Sequence, residues 1–416
     1  GRAQGDTEGA GAGDKSIAVL PFRNLSDDRR NEYFTEGVME AIRTRLSQIH
    51  ELRVISGTSV EQYRSTDKRA SVIAGELGVS ALLEGSIQRR DNHVRVDVRL
   101  VDGVSESLVW AKTFDRELED VFAIQREIAQ QVVAELNATP SAEEQSQLSK
   151  SETANAKAYD LYLKAVYEYR TYTNEGAHRS ISLLTDALAL DSSYARAHAF
   201  LANSYFGLAT IFGAEWSALE ALGKGKPFID RALKLDPKLD EAHMLLGFYR
   251  LYHDWDFRGA EGEYKSAIVS GHPDAIALYI DFLNFMSRHH EALEWSQRLH
   301  ENDPYYPNSR MVQSYVFNGR FDEALEFSES RLRMFNNYLT LDSHGFLLLN
   351  MKRYEEAIHY FDKAIALEGI RYPRMLAWKG AAYARSGRPV RAHAIIDEHQ
   401  SRRRPKKHLR LLVMQQ

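Results

Sequence analysis

Cysteine does not occur in this chain, which excludes disulfides, thiolate nucleophiles and Cys-ligated zinc or iron–sulfur sites. A cysteine-free chain tolerates an oxidising compartment without requiring one. No apolar run approaches about 18 residues, so no segment has the length of a bilayer-crossing helix. Neither sign of charge is in large excess, the net being −5, and no general basic field draws the chain to nucleic acid. GxxxxGK[ST], HExxH, GxSxG and EF-hand loops are absent. GAGAG at 9–13 precedes a strand pattern instead of linking strand to helix, so it fails as a dinucleotide turn. GKGK at 223–226 lacks the preceding glycine and strand and reads as a loop. The sequence therefore predicts no catalytic residue, no metal site and no cofactor. The chain does not begin with Met and has no signal peptide, so it is expected to be part of a longer or processed protein.

What is present is a repeat. Ala260, Ala292, Ala324, Ala357 and Ala392 are spaced 32, 32, 33 and 35 residues apart. Each has partners at helical spacing: Tyr264 and Ala267, Ser296, Ser328, Phe361 and Ala364, Ile396. A period near 34 with small, aromatic and small positions marks tetratricopeptide (TPR) repeats, which are helix pairs stacked into a superhelix. Such arrays recognise partners and rarely catalyse.

Residues 1–14 are Gly/Ala-rich and read as a flexible linker. From 15 to 137 the pattern changes. SIAVLPF and LRVIS read as short buried strands, with an amphipathic helix over 31–49 between them. A short helix over 68–78 stops near Gly78. SALLEGSIQRR and HVRVDVRLVDG alternate about Asp91-Asn92 as a hairpin, SLVWAKTFD follows as a strand, and 117–136 is an amphipathic helix. The order β-α-β-α-β-β-β-α predicts a small mixed-sheet α/β sandwich domain. Residues 138–153 are polar and read as a hinge or a solvated helix.

From 154 to 416 the expectation is all-α: about seven helix pairs in a right-handed TPR α-solenoid. Asp236-Pro237 and Asp303-Pro304 end helices. Gly319 and Gly387 mark turns of positive φ. Ala187 and Ala232 are 45 residues apart, so the second repeat carries an insertion within 209–227. Trp255 is expected to plug a gap between repeats.

The segments SIAVLPFRNLSDD, EYFTEGVMEAI, LGVSALLEGSIQRRDNHVRVDVRLVDG, LVWAKTFDRELEDVFAIQREIA and AYDLYLKA carry a family resemblance. Over roughly 15–400 the chain resembles a TolB-like amino-terminal domain joined to TPR repeats. That pair occurs as the carboxy-terminal region of bacterial class III adenylate cyclases and of winged-helix transcriptional regulators, usually after a transmembrane helix. Neither cyclase catalytic residues nor a winged helix is present here. The resemblance implies a sensing or interaction region, a membrane anchor ahead of residue 1, and an extracytoplasmic location with a cytoplasmic one as the alternative. A free-standing scaffold for an envelope or secretion complex is the competing expectation.

Two candidate sites follow. In the α/β part, Glu84 and Ser86 interrupt an apolar strand, and Ser56, Thr58 and Ser59 complete a potential polar ligand site; the structural alternative pairs Glu84 with Arg99 or caps the helix near 31. In the array, the resemblance places Asn203, Phe248, Asp281, Gln313, Phe346 and Ala381 on the groove side. That set lacks a cationic clamp and suits an extended peptide or a protein face. Its alternative is packing against the α/β domain or a second copy of the chain. Asn24, Ser26, Asp27 and Asp28 read as turn and cap residues, and His289-His290 as surface histidines. SRRRPKKHLR at 401–410 reads as a solvated face, with nucleic acid or anionic lipid as the alternative; no direct nucleic-acid contact is expected.

Overall fold

The computed structural model describes residues 15–403 apart from 27, 29–30, 172, 211–216, 305, 307–308, 336 and 369–372. The expected linker 1–14, Asp27, part of the repeat insertion and residues 404–410 of the basic run lie outside the described residues.

The first half is built on a six-stranded mixed sheet. Its elements are β1 (Ser16–Val19), β2 (Arg23–Asn24), α1 (Glu32–Ser47), β3 (Arg53–Val54), α2 (Gly57–Val60), α3 (Ala70–Leu77), β4 (Ala81–Arg90), β5 (His93–Asp102), β6 (Leu108–Glu117) and α4 (Val121–Glu135). The strand order is β3-β1-β4-β5-β6, with β2 also alongside β4. β1 runs parallel to β3 and β4, while β4, β5 and β6 form an antiparallel meander. The alternation in HVRVDVRL explains the layering. Val94, Val96, Val98 and Leu100 are buried beneath α1 and α4, while Arg95, Asp97 and Arg99 point to the other face. Among the described residues that other face is covered over β3-β1-β4, where Ala18, Leu20 and Leu82 meet Ile73, Ala74 and Leu77.

The segment expected as a hinge holds α5 (Ala142–Ser149), opened by a capping box between Ser141 and Glu144. Leu148 is fully buried, and buried Arg45 of α1 donates to the Leu148 and Lys150 carbonyls at 3.0 and 2.8 Å. One apolar residue and one buried guanidinium thus pin a segment whose composition alone reads as solvated.

Seven helix pairs follow: α6 (Ala156–Tyr169) and α7 (Asn174–Leu190); α8 (Ala195–Thr210) and α9 (Ala218–Leu235); α10 (Asp240–Tyr249) and α11 (Phe257–Ala267); α12 (Pro273–Phe285) and α13 (His289–Asn302); α14 (Ser309–Phe317) and α15 (Phe321–Met334); α16 (Tyr338–Asn350) and α17 (Tyr354–Glu368); α18 (Pro373–Arg385) and α19 (Pro389–Arg403). The alanines that set the period are buried in the second helices. Where the next frame position is aromatic, the first helix supplies glycine: a Cβ on Gly247 would meet the Tyr264 ring, and one on Gly345 the Phe361 ring. Where it is serine, a hydrogen bond replaces the ring, Ser296 to Ser314 at 3.0 Å and Ser328 to His344 at 2.9 Å.

Two expectations need correction. GKGK at 223–226 is not a loop but lies within α9. A Cβ on Gly225 would strike Phe206, so glycine there permits close helix approach, and Lys226 pairs with Asp230 one turn on. Trp255 does not plug a gap: it is 66% exposed in a left-handed turn after the π-helical turn Arg250–Asp254.

Candidate functional site

The first helices α8, α10, α12, α14, α16 and α18 pack in succession, while second helices of neighbouring repeats make no comparably close contact. The first helices therefore line the inner, concave side. Along it lie two aromatic clusters. Phe248 stacks near Tyr252 at 4.5 Å between ring centres, Tyr252 near Phe285 at 6.3 Å, and Phe317 near Phe346 at 5.8 Å. Phe346 then meets Trp378 at 4.5 Å, with the Arg374 guanidinium 4.8 Å from that ring. Tyr252, Phe285 and Phe317 are 46%, 50% and 42% exposed; Tyr252, in the turn after α10, adjoins Phe285 at the end of α12, and Phe317 at the end of α14 belongs to the second cluster.

Charge on this side is paired. Arg310 grips Asp281 through Nε and Nη2 at 3.0 and 2.7 Å, and Arg374 donates to Asp342 at 2.9 Å. Burial raises the Asp342 carboxyl above the ordinary aspartate range, against the lowering effect of Arg374. Burial, then the Asp281 charge, raises the Tyr252 phenol. With its ions neutralised in pairs, the groove offers aromatic surface and a few polar groups instead of a field of one sign.

The structure separates the expected groove residues into two kinds. Asn203, Phe248 and Asp281 are half-buried, whereas Gln313 and Phe346 are only 9% and 6% exposed, and Phe346 packs between Phe317 and Trp378 of neighbouring first helices. The exposed aromatics Tyr252, Phe285 and Phe317 were missed. Their signal was an aromatic residue recurring at the carboxy-terminal end of α12 and α14, one step before the turn.

The polar set in the α/β domain is not brought together around one ligand. Glu84 faces Arg99 across the β4–β5 ladder and accepts its hydrogen bond at 2.8 Å, the structural alternative. Ser86 is buried beside Asp97 in the same ladder. Ser56 caps α2, with its hydroxyl near those of Thr58 and Ser59, both at 3.1 Å. This turn has a partner from far along the chain. Asp303, buried after α13, accepts from the Ser56 amide at 3.1 Å and from the Ser59 hydroxyl at 2.6 Å.

That contact closes a loop. Near its start the array shares one hydrophobic core with the α/β domain, and Tyr33 donates to Asp160 at 2.7 Å while Arg89 pairs with the same carboxylate. At residue 303 the array returns to the domain. Between these anchors lies an open cavity of about 1910 Å³, walled by α/β residues such as Glu51 and Arg53 and by inter-repeat loop residues such as Asp236 and His243. Lys150 pairs with Asp236 across it at 2.7 Å. Among the described residues no group of three or more His, Asp or Glu is placed to hold a metal ion.

A family model described as HilA/YgeH-like transcriptional regulator, second domain, matches residues 13–131, and one described as tetratricopeptide repeat matches 341–369. The chain is 34% identical over 224 residues to "Putative adenylate cyclase 3" of Rhizobium meliloti (strain 1021), a match covering 52% of this chain and 37% of that protein. The chain therefore spans well under half of that relative's length. Among solved structures, it is similar to Pseudomonas aeruginosa pilF, at 21% identity over 49% of this chain and 89% of that one, with a TM-score of 0.35. A tetratricopeptide repeat protein from Parabacteroides merdae ATCC 43184 matches at 13% identity over 64% and 98%, TM-score 0.42. YrrB, described as a TPR protein with an unusual peptide-binding site, matches at 19% identity over 49% and 97%, TM-score 0.31. The architecture is thus a mixed-sheet α/β domain followed by a TPR-type solenoid, and its sheet domain matches a domain of transcriptional regulators.

Proposed function

We propose that this chain is the non-catalytic sensing and protein-interaction region of a bacterial signalling or transcriptional regulator. The observation that carries the reading is the exposure of the aromatic residues Tyr252, Phe285 and Phe317 along the first helices, beside charges that are already paired. Such a surface suits an extended peptide or a protein face read mainly by apolar anchors. The regulatory setting is supported by two matches of different kind, a domain of HilA/YgeH-like transcriptional regulators and a protein named as an adenylate cyclase. One sensing region serving different effectors accounts for both. The finer reading follows from the family resemblance: a TolB-like domain, a membrane anchor ahead of residue 1 and an extracytoplasmic location.

The test is selection of peptides from a random display library against the chain, followed by binding to variants. Tyr252→Ala and Phe285→Ala are expected to weaken binding about 30-fold each, the effect of an anchor worth about 2 kcal/mol. Binding should change little with moderate salt. If instead only a charge-neutralised 401–410 variant loses binding, and wild-type binding collapses with salt, the partner is a polyanion and the reading fails.

A further inference from the structure

One turn of the array departs from its counterparts. In the last four helix pairs a residue of positive φ stands five positions before the buried alanine: Ser287, Gly319, Lys352 and Gly387, at 58°, 72°, 64° and 78°. The residue after it donates its amide to the carbonyl five positions back, as Arg320 does to Tyr315 and Arg353 to Leu348, both at 2.9 Å. In the α10–α11 turn the same place is held by Trp255, at 55°, and Asp256 reaches back six positions, to the Arg250 carbonyl at 2.9 Å. The additional residue is taken up as the π-helical turn Arg250–Asp254. A bulky side chain in the left-handed conformation is a steric outlier, and π turns recur at functional sites. Burial does not offset the strain, since Trp255 is 66% exposed.

We propose that Trp255 binds a lysine or arginine side chain of the partner segment, beside the apolar anchors Tyr252 and Phe285. The site deepens the proposed function and rests on it for the presence of a bound segment. The other described tryptophans of the array each hold a guanidinium of this chain: Arg298 lies 5.0 Å from the Trp295 ring centre, and Arg374 lies 4.8 Å from that of Trp378. Trp255 meets only Phe257, edge-on at 6.3 Å, so its faces hold no cation among the described residues. Arg258, three residues on, makes no ion pair and no ring contact there, so the chain itself does not fill the face. Negative charge stands beside the ring. Asp254 lies 2.7 Å from His253 Nδ1 and meets no lysine or arginine among the described residues, in contrast to the paired ions of the groove. Asp256 shares Arg250 with Glu263, at 3.6 and 3.0 Å. An indole face is the strongest aromatic partner for a cation, and an adjoining carboxylate adds to the attraction. From Trp255 the rings continue through Phe257 and Phe285 to Tyr252 in steps of 6.3, 6.1 and 6.3 Å. The two steps between Trp255 and Phe285 are spanned by about four residues of extended chain.

The probes are short peptides selected from a random display library against the 416-residue chain, each remade with its arginines as citrulline and its lysines as norleucine. The selected peptides should carry lysine or arginine within about four positions of an aromatic or aliphatic residue. Neutralising that residue should weaken binding to the wild type about fivefold, and Trp255→Gly should cost about as much. The two losses should not add, because each removes the same contact. Glycine suits the left-handed turn, so Trp255→Gly should leave the melting midpoint unchanged or raised. Weaker binding without lower stability separates recognition from folding. Peptides that need Tyr252 and Phe285 but bind Trp255→Gly as well as wild type, or bind equally after neutralisation, overturn this site and leave the groove reading intact. If no selected peptide needs Tyr252 or Phe285, the groove reading fails and takes this site with it.

Discussion

Gly345 tests why small and aromatic residues alternate in this array. A Cβ there would lie 2.7 Å from Cε1 and 2.9 Å from Cδ1 of Phe361, which is fully buried. Carbon contacts are comfortable at about 3.5–4.0 Å, so Gly345→Ala must displace the ring or a helix by roughly an ångström. Two effects oppose each other. Alanine gains about 1 kcal/mol over glycine in a helix interior. Overpacking costs about 1–3 kcal/mol. The net expectation is a loss of up to about 2 kcal/mol. Gly262 in α11 isolates the first effect, because a Cβ there meets nothing within 4 Å. Gly262→Ala should stabilise by about 1 kcal/mol. Phe361→Leu alone should destabilise, yet in the Gly345→Ala background it should cost less, with a coupling of about 1 kcal/mol or more. Urea unfolding followed by circular dichroism, with hydrogen exchange across α16 and α17, measures the wild type and all four variants. If Gly345→Ala stabilises as much as Gly262→Ala, or if the two substitutions add without coupling, the close-approach argument is wrong.

Asp303→Ala removes the acceptor for the Ser56 amide and the Ser59 hydroxyl. Hydrogen bonds to a charged group contribute about 1.5–3 kcal/mol each, so amide exchange over 53–63 should accelerate strongly; unchanged protection would mean the anchor is not energetically real. His344 predicts an acid transition. Burial holds its imidazole down at about 4, below the ordinary 6.5, so the folded state resists a proton that the unfolded chain accepts. Its contribution is complete above about pH 6.5 and is lost as pH falls toward 4. Asp342 acts oppositely, since burial raises its carboxyl and acid relieves it. Comparing the melting midpoints of wild type and His344→Gln between pH 7 and 4 isolates the histidine: the variant should lose less stability, and parallel curves would refute the assignment.

The repeat was legible because its period is a packing requirement. Ala260, Ala292, Ala324 and Ala357 are all fully buried, and any larger residue would push paired helices apart. The strands were legible because Val94, Val96, Val98 and Leu100 keep period two. Depth within the groove was not legible. Phe346 and Phe285 look alike in sequence, yet one is packed between Phe317 and Trp378 and the other is half exposed, a difference set by how tightly successive first helices close. Glu84 was ambiguous because a strand glutamate is costly only without a partner, and the partner depends on register. Asp303 carried no local signal at all. Asp-Pro reads as a helix stop, and its partners lie 244 and 247 residues away.

Repeat arrays ordinarily melt from either end, each unit depending only on its neighbours. Here residues 156 to 303 are fastened at both limits to one folded sheet, so they form a ring and lose their free ends. Helices α6 to α13 should then share the cooperativity of the α/β domain, while α14 to α19 keep the fraying behaviour of an open stack. The boundary between two unfolding units falls at Asp303, inside what sequence periodicity presents as one uninterrupted solenoid.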